Sequence, residues 1–472
     1  MFKTLANAWK IEELRKKLLF TIMIILLYRV GAAITVPFVD AQSMSNFISG
    51  NNGIYSLLRT MSSGFENGTL FALGVSPYIT ASIVIQLLTV AIPSLERLAK
   101  QGEEGKKKIT AITRYITVGI SLVTAIGYYF MIQGYITTNM KGSEATTFEK
   151  WFAAIVIIAC FCAGSSLVMW LAEKINEKGI GNGISIILFA NIVSRGVNVA
   201  LEYYYQAVNI ANGSGSAAIL GEYGWDMGGS WNWSYSLPAL LILLLSTVGI
   251  LALIWFVVFI SDSERRIPVQ YAKKVVGRKM YGGRNTNLPL KVNMAGVMPV
   301  IFASALLSLP AMILGFINPT EGFWKGFYEF VSPNTWFYAI MTFILILAFA
   351  YFYVAISFNP VEVANNLQQN GGSIPGIRPG KPTSMYIKKV LSRVTFIGAL
   401  ALSVVAVLPV VVYLFLNALN GWTGVAGLSG SSMISEFINS GTSIIIVVGV
   451  VLETVRDLEA QMTMRHYKGF LN

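Results

Sequence analysis

Charged residues are scarce in this sequence of 472 residues, because only 12% are Asp, Glu, Lys or Arg, about half of the 25% usual in soluble proteins. Hydrophobic residues make up 54%, and the mean hydropathy is +0.61. A soluble chain of this length would form roughly three domains and would need far more charge to cover their surfaces. The composition therefore excludes disorder and a soluble multi-domain enzyme, and it indicates an integral membrane protein.

Cysteine and histidine are nearly absent. The two cysteines, Cys160 and Cys162, lie two residues apart in an apolar run, and His466 is the only histidine. Two thiols at that spacing on a helix point in different directions, so we expect small apolar fillers rather than a disulfide. The sequence also lacks a phosphate-binding GxxxxGK[ST] loop. We therefore expect no metal, no cofactor and no catalytic residues, and any energy for work must come from a partner.

Ten apolar stretches approach the roughly 20 residues that a helix needs to cross a bilayer. We therefore predict an all-α integral membrane protein with ten transmembrane helices. The predicted spans are Leu18–Phe38, Leu70–Ile92, Ala111–Thr137, Trp151–Ala172, Ile180–Val199, Leu237–Ile260, Ala295–Ile317, Thr335–Phe358, Val394–Leu419 and the short Ser440–Leu452.

Positive charge is distributed unequally between the two sides of these spans. Arg114 and Arg195 lie near span ends and are counted with the sides they adjoin. The side of the N-terminus then holds 29 of the 35 Lys and Arg residues, the other side holds five, and Arg29 lies inside the first span. Because positive loops stay in the cytoplasm, both termini are predicted to be cytoplasmic. A charge at a helix centre costs about 2.5–3.5 kcal/mol, so we expect Arg29 to face protein or to snorkel.

Carboxylates are missing from the middle of every predicted span. Ion-coupled transporters usually carry ionisable groups near the midplane. A secondary transporter for small solutes is the alternative class, and the missing carboxylates speak against it. A membrane scaffold without a conduit is a third interpretation, but it gives the motifs interrupted by Gly and Pro no purpose.

Several connecting segments are unusual in composition. Val39–Gly68 encloses an apolar run, Ile54–Met61, which either belongs to a surface loop or folds back over a cavity. The basic loop Ser261–Met294 predicts a hairpin around Gly282–Gly283, and Asn359–Ser392 places Arg378 and Lys381 at a predicted loop tip. The positive charge in these loops either only sets the orientation of the spans in the membrane, or it binds an acidic or RNA-containing partner.

Five segments resemble the SecY family of protein-conducting channels. They are FALGVSPYITASIVIQLLT at Phe71–Thr89, KINEKGIGNGISII at Lys174–Ile187, ERRIPVQYAKKVVGRKMYGGRNTNLPLKVNMAGVMPVIFA at Glu264–Ala303, NPVEVANNLQQNGGSIPGIRPG at Asn359–Gly380 and GTSIIIVVGVV at Gly441–Val451. The motifs are long and occur in family order, so the resemblance covers nearly the whole chain.

The resemblance implies a channel of the bacterial cell membrane that translocates unfolded polypeptides and releases hydrophobic segments laterally into lipid. It implies two pseudo-symmetric five-helix halves, at residues 1–200 and 237–472, joined by an extracytoplasmic loop at 201–236. That loop is longer than the family pattern leads us to expect. The implied partners are SecE-like and SecG-like small membrane subunits, the SecA motor ATPase, the ribosome, a signal peptide or nascent chain, and the lipid bilayer.

Site residues follow from the same resemblance. The implied pore ring is Ile79, Ile83, Leu188, Ile192, Ile301 and Ile446, with Ile184 an alternative in the fifth span. The implied plug lies at about 54–67 and includes Ile54, Leu57, Leu58, Met61 and Gly64. Spans two, three, seven and eight would form the lateral gate, with Thr80, Ser82, Gln86 and Ser304. The implied docking residues for SecA or the ribosome, in loops 261–294 and 359–392, are Arg265, Arg266, Lys273, Lys274, Arg278, Lys279, Arg378 and Lys381.

Overall fold

The computed structural model describes residues 7–42, 44, 62, 64–136, 147–196, 233–271, 274–276, 279–281, 285–317, 323–332, 335–423 and 432–468. Helices dominate this part of the chain, and each predicted span overlaps one of them. The helices before residue 200 are α1 (Glu12–Ala33), α2 (Ser76–Ala91), α3 (Pro93–Ala99), α4 (Glu103–Ile132), α5 (Thr147–Lys178) and α6 (Gly183–Gly196).

The second part of the chain contains longer helices and all of the described strands. Its helices are α7 (Trp233–Asp262), α8 (Met298–Ile317), α9 (Phe323–Val331), α10 (Trp336–Ser357), α11 (Pro360–Gln369), α12 (Lys381–Thr423) and α13 (Ser432–Lys468). Its strands are β1 (Glu264–Tyr271), β2 (Lys274–Val276), β3 (Lys279–Tyr281), β4 (Asn285–Lys291) and β5 (Gly372–Ser373).

Length and hydropathy single out part of this helical set as membrane-spanning. In the described residues, four helical stretches are long and apolar enough to cross a bilayer, namely Glu103–Ile132, Thr147–Lys178, Trp336–Gln369 and Lys381–Val412. The pair α2 and α3 would make a fifth span, bent by 105°. The bend falls at Pro93, which lacks the N–H needed to continue the hydrogen bonds of α2.

The first two spans differ from their predicted bounds, because extended backbone replaces helix between them. Helix α1 ends at Ala33, and Pro37 favours an extended conformation for Val36 before it. The Val36 N–H donates to the Gly68 carbonyl at 3.0 Å, and the Leu70 N–H donates to the Ile34 carbonyl at 2.8 Å. Residues predicted as the ends of two spans therefore pair with each other, and α2 begins only at Ser76.

The last two spans are much longer as helices than hydropathy predicts. Helix α12 begins at Lys381, whereas the ninth predicted span begins at Val394. Helix α13 continues to Lys468, whereas the tenth predicted span ends at Leu452. Hydropathy detects only the apolar part of a helix, and both helices carry polar turns beyond it. Lys381 is therefore the first residue of a helix, and the prediction of a loop tip at this position was wrong.

A small antiparallel sheet joins the two basic loops. Its strand order is β4-β1-β5, with Ile267 opposite Leu288 and with Gln270 opposite Ser373. Strands β2 and β3 pair separately, and Val276 opposes Lys279. The antiparallel pairing of β1 with β4 confirms a hairpin in this loop. Because β2 and β3 pair across residues 277–278, the predicted centre at Gly282–Gly283 was wrong.

Candidate functional site

The six aliphatic residues of the implied pore ring all belong to, or pack against, one large hydrophobic cluster. Five of them are buried in it, with exposed fractions of 1% for Ile79, 4% for Ile83, 2% for Leu188, 0% for Ile301 and 6% for Ile446. Ile192 and its alternative Ile184 are partly buried and pack against the same cluster. We call the six residues Ile79, Ile83, Leu188, Ile192, Ile301 and Ile446 the waist.

Four separate helices supply the waist. Ile79 and Ile83 lie four residues apart on α2 and therefore on one face, Leu188 and Ile192 come from α6, Ile301 from α8 and Ile446 from α13. These side chains carry neither charge nor hydrogen-bonding groups. A constriction built from such side chains would resist water and ions.

Close helix packing beside the waist depends on glycine. A Cβ atom at Gly449 of α13 would collide with Cγ1 of Val297, just before α8, and one at Gly183 of α6 would collide with the carbonyl of Ala172 on α5. Small residues let helices approach closely within a membrane. The glycines therefore help to hold the waist helices at contact distance.

Arg29 of α1 faces protein, as the cost of a charge in a span leads us to expect. Its Nη2 donates a hydrogen bond to the carbonyl oxygen of Ala190 on α6. The neighbouring Tyr28 is fully buried, and its ring stacks on Phe71 at 5.5 Å between centroids. These contacts attach α1 to the waist helix α6 and to the segment that precedes α2.

A small cavity lies where α2, α4 and α8 meet. Its volume is about 20 Å³, enough for about one water molecule. Hydroxyl groups are prominent in its lining, from Ser62, Ser76, Thr80, Thr124 and Ser308. Three of the four helices implied for the lateral gate thus enclose a mostly apolar cavity that also carries hydroxyl groups.

Of the implied gate residues, Thr80 lines this cavity, and the four residues differ in burial. Thr80 and Ser304 are buried, while Ser82 and Gln86 are half-buried. The Ser304 hydroxyl donates to the Ile301 carbonyl at 3.0 Å within α8.

Sequence reasoning missed Thr124 and Ser308, although a signal exists for Thr124. Hydroxyl residues recur along α4 at Thr113, Thr117, Ser121 and Thr124, and all four are buried. Thr113, Thr117 and Ser121 are spaced by four residues, and Thr124 follows three residues after Ser121. This is the spacing of one helix face. A buried polar stripe of this kind on an apolar helix points to its protein-facing side. Ser121 in this stripe lies 3.2 Å from the Cys162 sulfur on α5.

The implied plug is described only at its C-terminal end. Ile54, Leu57, Leu58 and Met61 lie outside the described residues, whereas Gly64 is buried. A Cβ atom at Gly64 would collide with the Thr69 hydroxyl, so this turn accepts only glycine without rearrangement.

Phe65 fixes this end of the segment to α4. The Tyr128 hydroxyl donates to the Phe65 carbonyl at 2.5 Å, and the two rings lie 4.9 Å apart. On the other side, the Ser62 hydroxyl donates to the Phe71 carbonyl at 3.0 Å. The stretch from Ser62 to Phe71 is therefore attached to α4 by Tyr128, and the Ser62–Phe71 bond closes it on itself.

The basic loops form one folded unit. Ile267 and Val269 of β1, Leu367 of α11 and Ile387 of α12 belong to its small buried core. We call this unit, residues 264–291 and 360–393, the basic module.

Several implied docking residues lie on the surface of the basic module. Arg265, Arg266, Arg378 and Lys381 are exposed, and Arg266 pairs with Glu264 at 2.6 Å. Lys274 and Lys279 belong to β2 and β3, while Lys273 and Arg278 lie outside the described residues. Partial desolvation and the nearby Arg456 lower the pKa of Lys291 at the end of β4.

A polar contact, which we call the clasp, joins the early and late parts of the chain. Asp457 of α13 accepts hydrogen bonds from the Gly181 N–H at 3.1 Å and from Nε2 of Gln461 at 3.3 Å. The Lys17 ammonium of α1 donates to Oε1 of Gln461 at 3.0 Å. Leu14, Ile180 and Leu458 form an apolar cluster on the same three segments.

No group of three or more His, Cys, Asp or Glu side chains among the described residues could hold a metal ion. The arrangement offers an aliphatic constriction, a seam with hydroxyl groups and a basic surface.

Comparison with known proteins agrees with this arrangement. The SecY family model matches residues 69–455. The protein translocase subunit SecY of Streptomyces galbus is 40% identical over the full length of both chains. A solved structure described as a protein-conducting channel has a TM-score of 0.59 at 18% identity, covering 95% of this chain and 92% of its own. Sec61 in a canine ribosome-channel complex has a TM-score of 0.58 at 18% identity, with the same coverage.

Proposed function

This chain belongs to the SecY family and is a protein-conducting translocation channel of a membrane, and we propose that the polypeptide passes through the waist. The observation that carries the proposal is the burial of aliphatic side chains from four separate helices in one cluster. A translocating chain presents every kind of side chain, so the constriction must bind none of them strongly. Aliphatic groups meet this need, since they offer no charge or hydrogen bond and adapt through side-chain rotation.

We infer ten spans in a bacterial cell membrane, with both termini in the cytoplasm and halves at 1–200 and 237–472. The overlap of each predicted span with a helix supports the count. The unequal distribution of Lys and Arg supports the orientation.

The seam between α2, α4 and α8, together with α10, is the proposed lateral gate. Leu, Ile, Phe and Val each gain about 0.3–0.6 kcal/mol on entering lipid, whereas one Arg or Lys costs several times as much. An opening to the side lets a hydrophobic segment leave for the bilayer, while a polar segment continues through the waist.

Hydrogen bonding at the seam favours easy opening. Ser304 and Ser308 of α8 donate to carbonyls of their own helix, at 3.0 Å and 2.8 Å, and Thr124 does the same on α4 at 3.0 Å. Separating the helices therefore breaks none of these bonds. The polar side chains of α2 also reduce the apolar contact area of the closed gate. They are Thr80, Ser82 and Gln86.

The proposed plug is the segment at about 54–67, which would cover the waist in the closed channel. Anchoring of Phe65 by Tyr128 supports a fixed attachment at its C-terminal end. Because the attachment lies beside the gate helices, their movement would disturb the plug directly.

The basic module is the proposed docking surface for the SecA motor ATPase and the ribosome. Its exposed arginines and lysines suit acidic protein surfaces and RNA phosphates. A structural neighbour, Sec61, is described in a complex with a ribosome. SecE-like and SecG-like membrane subunits complete the proposed assembly, and a signal peptide or nascent chain is the cargo.

Disulfide crosslinking tests the position of the passage. In a background with Cys160→Ala and Cys162→Ala, a stalled export substrate carrying one cysteine in its polar part should crosslink to Ile301→Cys. The matched control is Ile313→Cys on the same helix, where the isoleucine is 51% exposed. Equal crosslinking at both positions, or crosslinking at residue 313 alone, would contradict the proposed waist.

A further inference from the structure

The short helix α9 presents large aromatic side chains that the rest of the chain leaves uncovered. The exposed fractions are 78% for Phe323, 59% for Trp324, 37% for Phe327 and 49% for Phe330. So large an apolar area on nine residues is unusual for a surface in water.

These aromatic residues are ordered on one face of the helix. Phe323, Phe327 and Phe330 follow the spacing i, i+4 and i+7. The rings of Phe323 and Phe327 stack at 6.3 Å, and the ring of Phe330 stacks on Phe337 of α10 at 4.0 Å. Lys325 projects from the opposite side of the helix and is exposed. The helix is thus amphipathic, and Phe330 attaches it to the beginning of α10.

The aromatic face continues an exposed apolar stripe on α10. Trp336, Ile340 and Ile344 lie four residues apart, and their exposed fractions are 57%, 55% and 52%. In a membrane channel such a stripe meets acyl chains. With α8 and α10 as spans under the proposed topology, α9 lies between two span ends, which is the level where lipid headgroups meet water.

We propose that α9 is an interfacial helix, with Phe323, Phe327 and Phe330 inserted among the headgroups and upper acyl chains of the bilayer. Amphipathic helices with aromatic residues on one face and Lys on the other lie in this plane, with the apolar face about 5–10 Å deep. Aromatic residues also concentrate at the membrane interface. The assignment to the extracytoplasmic leaflet rests on the topology given under the proposed function. Lipid at this position would hold the ends of α8 and α10, two helices of the proposed gate.

Depth measurements with a single fluorophore test the proposal. Phe323→Cys and Phe327→Cys are labelled with NBD in the full chain with Cys160→Ala and Cys162→Ala, reconstituted in phosphatidylethanolamine and phosphatidylglycerol vesicles. Nitroxide placed near the headgroup end of an acyl chain should quench both labels at least about twofold more than a label at Lys325→Cys. Nitroxide at the terminal methyl should quench them less than nitroxide near the headgroup.

Iodide in the aqueous phase provides the opposite readout. It should quench the label at Lys325→Cys strongly and the labels at residues 323 and 327 weakly. Equal iodide quenching at all three positions, or stronger quenching by nitroxide at the terminal methyl, would overturn the proposal. The second aromatic position keeps the test decisive if one substitution prevents folding.

The leaflet is tested separately with a membrane-impermeant maleimide on intact spheroplasts. Reaction of Lys325→Cys from outside supports the extracytoplasmic leaflet. Reaction only after lysis would overturn the leaflet and the proposed topology, while the depth measurement still decides whether α9 is interfacial.

Discussion

Gly164 of α5 and Gly119 of α4 show how strongly the effect of one methyl group depends on its surroundings. A Cβ atom at Gly164 would collide with the carbonyl group of Leu70, whereas one at Gly119 would meet no atom within 4 Å. A backbone carbonyl cannot rotate aside as a flexible side chain can. Gly164 thus sets the distance between α5 and the segment that leads into α2.

We expect Gly164→Ala to lower the thermal stability of the purified channel. Forcing a methyl group into a packed site costs about 1–3 kcal/mol, while alanine at an open helical site gains up to about 1 kcal/mol over glycine. Gly119→Ala is therefore the control, and its melting temperature in detergent should stay unchanged or rise slightly. Equal decreases for both variants would contradict this account of packing.

Residue-level predictions succeeded where they needed only local information. The cost of a buried charge is enough to predict that Arg29 either faces protein or snorkels, but its partner Ala190 is 161 residues away, and one sequence cannot supply that pairing. The waist residues came from the resemblance to a family, since nothing in an aliphatic pattern separates a pore from packed or lipid-facing surface. Their role in the passage stays a prediction.

At the scale of elements, the stretch from Ser62 to Phe71 connects two parts of the proposed mechanism. It carries the C-terminal end of the proposed plug, lines the cavity at the gate and leads directly into α2. Tyr128 is fully buried and provides the hydrogen bond from α4 that fixes it.

Removing this hydroxyl should loosen the closed channel. Tyr128→Phe leaves the Phe65 carbonyl without its donor, and a lost buried hydrogen bond costs about 1–3 kcal/mol. We expect a higher ion conductance of the variant in planar bilayers. Tyr115→Phe on the same helix removes a hydroxyl from a side chain that is 79% exposed and should conduct like the unmodified channel. Identical conductance of all three proteins would argue against anchoring by Tyr128.

Hydropathy predicted the existence of the elements better than their ends. Helix α1 ends early because Val36 pairs with Gly68, a contact between segments that hydropathy treats separately. The hairpin was predicted around Gly282–Gly283 because glycine favours turns, yet the pairing of β1 with β4 and of β2 with β3 determines where the chain reverses.

At the scale of the whole molecule, the clasp joins the two proposed halves. Lys17 and Gly181 belong to residues 1–200, while Asp457 and Gln461 belong to residues 237–472. Asp457 accepts two hydrogen bonds and occupies the centre of the contact.

We expect Asp457→Ala to destabilise the folded channel by about 1–3 kcal/mol, because the Gly181 N–H loses its acceptor. In the double variant, the effects of Asp457→Ala and Lys17→Met should not add, because Lys17 and Asp457 both bind Gln461. Thermal unfolding in detergent measures each change. Glu459→Ala, an exposed carboxylate two residues away, is the control and should combine additively with Lys17→Met. Additive effects of Asp457→Ala and Lys17→Met would mean that the clasp does not act as a unit.

The sheet β4-β1-β5 has a mechanical consequence for the molecule. It connects directly to α7 and α8 through β1 and β4, and its core includes residues of α11 and α12. A partner that exerts force on this sheet transmits it first to the later proposed half of the chain alone. The earlier proposed half follows through its contacts with the later one, so strain concentrates along the line where the two halves meet, and that line is where the channel should yield.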